Sequence, residues 1–307
     1  MKHTRNAVQL LVLFALGAAV VLSVVLPQLP FVARESEPVE ITVILRQSNS
    51  SAWSNARLGM EQAAGSLRAE LRLLTLTADN DADEQAQLML YEAGRGADAL
   101  VVVPAGCRLP DAGVPLVTLE SVDPAARAAV CPDNEALGRA LAAAALADDP
   151  AGEVLLVTCC PDSDGAARRL AAARDALEAA GVPVRQVDPG RDAGGLEALL
   201  SDADAAAALL LEPQATEAAA ELKERLALPI ALYGVGSTGR IAAWLEKEVL
   251  NASAVWSDFA AGYLAVERAV NAARGQACAD ELLEFVILRG EDIYAPDNQK
   301  LLFPVAS

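Results

Sequence analysis

The stretch ITVILRQSNSSAWSNARLGMEQAA, residues 41–64, contains the structural unit that the rest of this chain repeats. Its first five residues are β-branched or apolar and predict a buried strand, and the segment after Trp53 carries apolar residues at helical spacing. A polar loop from Arg46 to Trp53 joins the two. Because α/β proteins bind ligands beyond the carboxyl ends of their strands, this loop is a candidate binding segment.

The same alternation of apolar runs and alanine-rich helical stretches continues along the chain. The further strand-like runs are LRLLTLT, ADALVVV, VPLVTLE, GEVLLVT, VPVRQV, AAAALLL, LPIALY, ASAVW and EFVIL. Alternating strands and helices predict parallel sheets covered on both faces, and the absence of polar alternation predicts strands that are buried on both sides. The predicted fold class is α/β.

These strands could form one closed barrel or two open sheets. A (β/α)₈ barrel needs eight regular repeats, but the segment ESVDPAARAAVCPDNEALGRA, residues 120–140, is irregular and no helix follows the last strand. A chain of 307 residues also exceeds the size at which a single core stops growing. We therefore expect two doubly wound, parallel-sheet lobes.

The composition excludes several classes of protein. A formal net charge of −18 argues against nucleic-acid binding, because a phosphate backbone requires clustered Lys and Arg. The one histidine, His3, and five scattered cysteines provide no usual zinc site and no histidine-based catalytic triad. The adjacent Cys159 and Cys160 are interpreted as small apolar fillers at a strand end rather than as a redox pair. We expect a binding protein without cofactor or metal, not an enzyme.

The N-terminal residues predict export. Lys2 and Arg5 precede an uncharged run from Ala7 to Leu26, whose roughly 20 residues could span a bilayer as a helix. The nearest candidate cleavage site, Phe31–Val32–Ala33, has a bulky first position. We expect an uncleaved signal anchor and linker over residues 1–34, and a cleaved signal peptide is the alternative. Either segment would place the remaining chain outside the cytoplasm.

From about Ile41 to Ile293 the order of segments resembles the type 1 periplasmic solute-binding proteins, especially the ribose/galactose-binding group related to the ligand-binding core of LacI-type repressors. The segments that carry the resemblance are residues 41–64, TADNDADEQAQLMLYEAGRGADALVVVP, GVPLVTLES, PDNEALGRALAAAAL, RRLAAARDALEAAGV and EFVILRGEDI. The resemblance implies two lobes joined by a three-crossover hinge. The first lobe would comprise residues 39–131 and 258–279, and the second residues 132–257 and 280–307.

The resemblance also implies a ligand cleft between the lobes. The residues expected to bind the ligand are Asn49, Ser50, Trp53, Glu120, Arg169, Glu212 and Trp256. In this family, aromatic faces stack on the apolar faces of a sugar, and acids and an arginine bind its hydroxyls. Arg168 could take the role of Arg169 after a shift of one residue, and Glu212 could instead cap the helix that begins at Pro213.

The chain also departs from the family pattern. Glu212 stands where the family commonly has Asn, and the aspartate of a later turn is replaced near Gly236. In addition, only Ala105 to Gly113 link two successive strands of the first lobe, which is too short for a helical crossover. We therefore expect that lobe to lack a helix at this point.

A competing hypothesis comes from YGVGSTG, residues 233–239, which has the G-x-G-x-x-G spacing of dinucleotide-binding turns. Asp258 lies near the position expected for the acidic residue that binds the ribose. However, the motif follows a late strand, and the chain beyond Gly239 is too short for a dinucleotide-binding domain. We therefore interpret these glycines as part of a strand-to-helix turn.

The expected function is an extracytoplasmic solute-binding protein that captures a small polar ligand, a sugar or sugar-like compound, for an ABC-type importer. The alternative is a membrane-anchored sensor or co-receptor that signals to a membrane partner. The expected partners are the ligand, an ABC transporter permease or membrane sensor, and the membrane through the N-terminal helix. The expected location is the cell membrane, with the main domain extracytoplasmic, or the exterior if the signal is cleaved.

Overall fold

A computed structural model describes residues 16–17, 38–47, 52–190, 195–202 and 204–303. Most of the predicted anchor lies outside these residues, and so do Asn49 and Ser50. Within the described ranges no helix is long and apolar enough to cross a membrane. Residues Val39–Ser307 form one compact unit, and the following description concerns that unit.

Strands and helices alternate along this unit. The strands are β1 (Val39–Leu45), β2 (Ala69–Thr75), β3 (Ala99–Val102), β4 (Leu116–Leu119), β5 (Ala128–Pro132), β6 (Glu153–Val157), β7 (Val184–Val187), β8 (Ala205–Leu210), β9 (Ala231–Val235), β10 (Ala252–Trp256), β11 (Glu281–Leu283) and β12 (Phe285–Leu288). The α-helices are α1 (Ser54–Leu67), α2 (Ala82–Gly94), α3 (Asn134–Ala147), α4 (Asp164–Ala179), α5 (Gly195–Leu200), α6 (Pro213–Leu226), α7 (Gly239–Glu246), α8 (Asp258–Ala273) and α9 (Pro296–Leu302).

The strands form two six-stranded sheets. The first has the order β2-β1-β3-β4-β5-β11 and its pairs are parallel. The second has the order β7-β6-β8-β9-β10-β12 and is parallel except for the antiparallel β10–β12 pair. Central strands such as β3 and β10 are buried along their whole length, because helices cover both faces. The predicted α/β class with two parallel-dominated sheets is confirmed.

Two strands were not among the predicted runs. β5 lies in the segment that the sequence analysis treated as irregular, and β11 is only three residues long. β11 pairs with β5, so Glu281–Leu283 belongs to the first sheet although the predicted first lobe ended at residue 279. Only the long-range pairing reveals this, because the predicted run EFVIL begins at Glu284 and the three residues before it are too few to predict a strand.

The chain passes between the two sheets three times: after β5, between β10 and α8, and between β11 and β12. Helix α8 packs on α1 and on strands of the first sheet, which brings the chain back after β10. Residues 103–115, all of which the structure describes, join β3 to β4 without a helix. The expectation that no helix joins these two strands is therefore confirmed.

Candidate functional site

Residues that follow the strands of the two sheets face each other across a cleft. Asn80 Nδ2, beyond β2, donates a hydrogen bond of 3.2 Å to Cys159 O, beyond β6. The hydroxyls of Ser121 and Ser163 are 2.9 Å apart, and Cys160 Sγ donates to Ala105 O over 3.4 Å. The carboxyl ends of both sheets therefore meet, as expected for a ligand site in α/β proteins.

Arg46 and Glu120 form a buried ion pair at the first-sheet side of the cleft. Arg46 Nη2 lies 2.8 Å from Glu120 Oε2, and Arg46 Nη1 donates to Pro104 O over 3.3 Å. Burial works against the charge of Arg46, but the carboxylates of Glu120 and Glu212 raise its pKa. Glu120 has a φ of 65°, a left-handed conformation that is uncommon outside glycine and that is often found at binding sites.

Glu212 is fully buried on the second-sheet side. Its Oε1 accepts a hydrogen bond of 2.7 Å from Thr158 Oγ1, and its Oε2 accepts one of 3.0 Å from Cys159 N. Burial raises the pKa of Glu212, and these two hydrogen bonds oppose that rise. Its side chain makes no capping bond to α6, so the alternative role as a helix cap is not observed. Glu212 instead holds the end of β6 in place.

Arg169, rather than its neighbour Arg168, points into the protein. Its Nε donates to Asn134 Oδ1 over 2.6 Å and its Nη1 to Leu211 O over 2.7 Å. The guanidinium lies 5.8 Å from the ring centre of Trp256, within cation–π range, and burial lowers the pKa of Arg169. Arg168 is exposed and pairs with acidic residues on the surface. Of the two arginines, Arg169 is the one that the packing turns toward the cleft.

Trp53 and Trp256 enclose a small space together with Glu120 and Asp258. This tryptophan cavity has a volume of about 10 Å³, close to that needed by one water molecule. Trp53 lies at the start of α1 and Trp256 ends β10, and both side chains are buried. Burial raises the pKa of Asp258 to about 7, although a hydrogen bond from Ser237 Oγ opposes the rise. The structure thus brings together three of the predicted site residues.

A larger space opens farther out between the two sheets. This mouth cavity has a volume of about 450 Å³, within the roughly 300–1,000 Å³ range of small-molecule sites. Residues from both sides line it, among them Gln47, Asn80, Cys159, Cys160, Asp188 and Gln214. The sequence analysis did not single out Gln47, Asn80 or Gln214. The available signal was position alone, because each follows a strand within a few residues.

Buried polar atoms without a hydrogen-bond partner concentrate in this cleft. They include Arg46 Nε, Gln47 Oε1, Trp53 Nε1, Glu120 Oε2 and Gln214 Oε1. Glu120 Oε2 is at ion-pair distance from Arg46 but accepts no well-directed hydrogen bond. Folded proteins rarely leave such atoms unpaired, because each costs free energy of desolvation. Hydrogen-bonding capacity in this cleft is thus left partly unused by the described residues.

The cysteines and glycines of the cleft serve packing. All five cysteines are free, and burial raises the pKa of Cys159 to about 12 and that of Cys160 in the same direction, which keeps both thiols protonated. In YGVGSTG, a Cβ at Gly234 would lie 2.4 Å from Thr216 Cγ2, and one at Gly236 would lie 2.7 Å from Ile241 Cδ1. These glycines therefore let α6 and α7 pack closely on β9.

Known proteins show the same architecture. The family model described as periplasmic binding protein domain matches residues 41–277. A carbohydrate transporter solute-binding protein from Agrobacterium radiobacter, in complex with D-arabinose, is 17% identical with a TM-score of 0.77, and the match covers 87% of this chain and 100% of that chain. No curated protein matches.

Two further solved structures cover the same share, 87% of this chain and 100% of each neighbour. An ABC transporter solute-binding protein from Agrobacterium vitis, bound with alpha-D-tagatopyranose, is 15% identical with a TM-score of 0.78. Another from Bacillus halodurans, with bound myo-inositol, is 16% identical with a TM-score of 0.74. At such identities the likeness establishes the fold.

The family match covers most of the chain, and it agrees with the two parallel-dominated sheets and the cleft between them. Solute-binding proteins of this kind are transport components and not enzymes, in agreement with the expectation from the sequence. The chain therefore belongs to the periplasmic binding protein domain family, and its solved neighbours are type 1 sugar-binding proteins.

Proposed function

We propose that this protein is an extracytoplasmic solute-binding protein that captures a small polar ligand, a sugar or sugar-like compound, between two lobes for an ABC-type importer. The observation that carries the proposal is the set of buried, unpaired polar atoms at strand ends of both sheets. A ligand rich in hydroxyl groups both donates and accepts hydrogen bonds, so it can pair with atoms of either kind. The sugar-bound solved neighbours support this class of ligand.

Each lobe is formed around one sheet in this proposal. The first lobe comprises residues 39–131 and 258–283, and the second comprises residues 132–257 and 284–303. The three passages of the chain between the sheets form the hinge, and the lobes close on the ligand by rotation about it. Hydrogen bonds such as Asn80 to Cys159 O form in the closed arrangement and break when the lobes separate.

The predicted site residues take different parts in the cleft. Trp53, Glu120 and Trp256 form its inner wall. Arg169 and Glu212 support that wall from the second-sheet side, because their polar atoms are engaged by protein groups. Asn49 and Ser50 precede Trp53 in the loop after β1 and remain predicted ligand contacts.

The test of ligand capture is a thermal-shift screen of the purified chain from residue 38 onward against sugars, polyols, nucleosides and amines. A ligand at a hundredfold excess over its Kd adds about 2.7 kcal/mol to the free energy of unfolding, which raises Tm. Hits are confirmed by calorimetric titration, and small-angle scattering should show a smaller radius of gyration with ligand. A panel without any shift would contradict ligand capture.

Delivery and anchoring are tested in cells. Uptake of the identified ligand should require this protein together with an ABC permease, and the full-length chain should sediment with membranes through the predicted anchor. If cells that lack the protein take up the ligand normally but no longer respond to it, the sensor role would be favoured. A soluble form with a new N-terminus near Arg34 would contradict the anchor.

A further inference from the structure

Helix α4 is preceded by a serine whose side chain does not cap it. Ser163 has φ −76° and ψ 132°, the extended backbone of an N-cap residue, and its carbonyl accepts a helical hydrogen bond of 2.9 Å from Ala167 N. The structure describes the whole first turn of α4, and within it the Ser163 hydroxyl bonds to no backbone N–H. The helix therefore obtains its cap in another way.

Ser257, which precedes α8, is the matched comparison within the chain. It is the same residue type with a similar extended backbone, φ −78° and ψ 95°, and its hydroxyl accepts a hydrogen bond of 3.1 Å from Ala260 N. Side chains cap α2, α3 and α7 in the same way. A serine at this position normally pairs with one of the free N–H groups of the first turn. The different behaviour of Ser163 thus has a local cause.

The cap of α4 comes from the first lobe. Gly165 N, in the first turn of α4, donates a hydrogen bond of 3.0 Å to Ser121 Oγ, which lies just beyond β4. The hydroxyls of Ser121 and Ser163 are 2.9 Å apart, and both side chains are almost completely buried. A hydroxyl can accept from an N–H group while it bonds to a second hydroxyl. Ser121 therefore caps α4 and engages Ser163 at the same time.

This contact between the lobes is closely fitted. A Cβ at Gly165 would lie 2.5 Å from Glu120 O and 2.7 Å from Ser121 Oγ, so only glycine permits such an approach. Glu120 O also accepts a hydrogen bond of 2.9 Å from Asn134 Nδ2, at the start of α3. The residues that follow β4 are thus held against the first turns of two helices of the second lobe.

Separation of the lobes would take Ser121 away from α4. Gly165 N would lose its acceptor, and the Ser163 hydroxyl would lose its partner in the same movement. The backbone of Ser163 already has the N-cap conformation, so rotation about one side-chain bond can bring its hydroxyl to an N–H of the first turn. The two groups that opening releases can therefore pair with each other.

We propose that α4 exchanges its N-cap as the lobes move: Ser121 caps the helix in the closed arrangement, and Ser163 caps it when the lobes are apart. This inference rests on the two-lobe closure of the proposed function and adds a device that couples closure to α4. Because the helix is capped in both arrangements, opening leaves no helix N–H unpaired at this point. The exchange thus lowers the cost of opening and prevents this contact from locking the cleft shut.

The test needs protein with opened lobes, and Gly165→Ala provides it because its Cβ cannot fit against Glu120 O. Opening is measured on the full-length chain in detergent by maleimide labelling of Cys160, whose buried thiol donates to Ala105 O across the cleft. Cys131, buried in β5, is the control thiol that reports global unfolding. Cys160 should react faster in Gly165→Ala than in the wild type, and the reactivity of Cys131 should not change.

With Gly165 retained, the two serines should replace each other as caps. Ser121→Ala leaves Ser163 and Ser163→Ala leaves Ser121, so each single change should lower Tm by less than about 2 °C. The double variant removes both caps and should lower Tm by more than the sum of the single losses. Ser257→Ala, at the matched serine cap of α8, is the control, and its loss of about 2–4 °C should simply add to that of Ser121→Ala.

In the opened protein only Ser163 should cap α4. In the Gly165→Ala background, Ser163→Ala should lower Tm by about 2–4 °C, the loss of one helix cap, whereas Ser121→Ala should change Tm by less than about 1 °C. If Gly165→Ala does not fold, Ser121→Leu provides the opened background, because the longer side chain cannot fit against the first turn of α4. Ser163→Ala is then introduced into that variant with the same expected loss.

Three results would overturn the inference. They are unchanged labelling of Cys160 in the opened background, normal melting of Ser163→Ala in that background, and a double serine variant that melts no lower than Ser121→Ala. The proposed function is judged separately by the solute panel, because all of the serine measurements are made without solute. A panel without any shift would remove the proposed function and leave the result on the caps unaffected.

Discussion

The tryptophan cavity and the mouth cavity lie in one cleft but are constructed in different ways. Around the inner space, charged and aromatic side chains contact each other: Arg46 pairs with Glu120, and Arg169 lies over Trp256. Around the outer space, the amide oxygens of Gln47 and Gln214 have no hydrogen-bond partner. Unpaired polar atoms thus occur around both spaces, whereas the buried ion pair and the contact between arginine and indole belong to the inner one, where they fix the side chains relative to each other.

Replacing Glu120, beside the tryptophan cavity, should cause the largest loss of stability. Glu120→Ala leaves Arg46 buried without its carboxylate, and we expect the free energy of unfolding to fall by about 3–5 kcal/mol in urea denaturation. The matched control is Glu61→Ala, which removes an ion pair of the same 2.8 Å length with Arg57 on the exposed face of α1. That loss should stay below about 1 kcal/mol. Equal losses would mean that the inner ion pair is not structurally important.

A substitution that prevents the proposed lobes from closing should have the next largest effect, and this effect is on ligand affinity. A Cβ at Gly165, at the start of α4, would lie 2.5 Å from Glu120 O and 2.7 Å from Ser121 Oγ of the first lobe. Gly165→Ala should therefore disfavour closure, enlarge the radius of gyration with ligand and weaken binding by at least about tenfold. Gly65→Ala, where a Cβ meets nothing within 4 Å, should bind normally. Unchanged affinity in Gly165→Ala would mean that closure does not form the mouth cavity.

The stability of the inner region should also depend on pH through Asp258. Its pKa of about 7 lies above the ordinary value of 3.8, so between these values the folded state holds a proton that the unfolded state has released. The preference of the folded state for the protonated carboxyl of Asp258 therefore contributes fully to stability below pH 3.8 and is lost as pH rises toward 7. The free energy of unfolding falls by at most about 1.4 kcal/mol per pH unit in this range.

The measurement compares urea unfolding of the wild type and Asp258→Asn from pH 4 to pH 7. The neighbouring Glu120 is present in both proteins, so the difference between them reports on Asp258. We expect the wild type to lose stability relative to Asp258→Asn as pH rises. A difference that does not change with pH would show that Asp258 is ionised throughout this range.

The smallest effect is expected from Trp53→Phe. This change removes the unpaired Nε1 but keeps an aromatic ring in the inner wall of the cleft, so affinity should change by less than about threefold. The control is Trp244→Phe, because Trp244 is buried on α7 and its Nε1 donates to Glu224. This variant should keep both the ligand affinity and the ligand-induced change in tryptophan fluorescence. A loss far above threefold in Trp53→Phe would place the ligand against the indole.

Much of this protein could be predicted from the sequence because the signals are local. Apolar runs without polar alternation indicated buried parallel strands, and the short link from Ala105 to Gly113 indicated a missing helix. The polar residues after the strands indicated the cleft, because parallel strands place their carboxyl ends on one edge. These conclusions depend only on periodicity, length and position, which the chain specifies by itself.

Only the tertiary structure determined which side chains near the cleft are paired and which are not. Arg168 and Arg169 are identical in type and adjacent, and only the packing of α4 turned Arg169 inward. β11 joined the first sheet through long-range pairing with β5, which no local pattern encodes. Whether a side chain near the cleft is satisfied depends on partners far away in sequence, as for Glu212 with Thr158 and Arg46 with Glu120. Position after a strand placed these groups at the cleft, but three-dimensional pairing determined which of them already have partners within the protein.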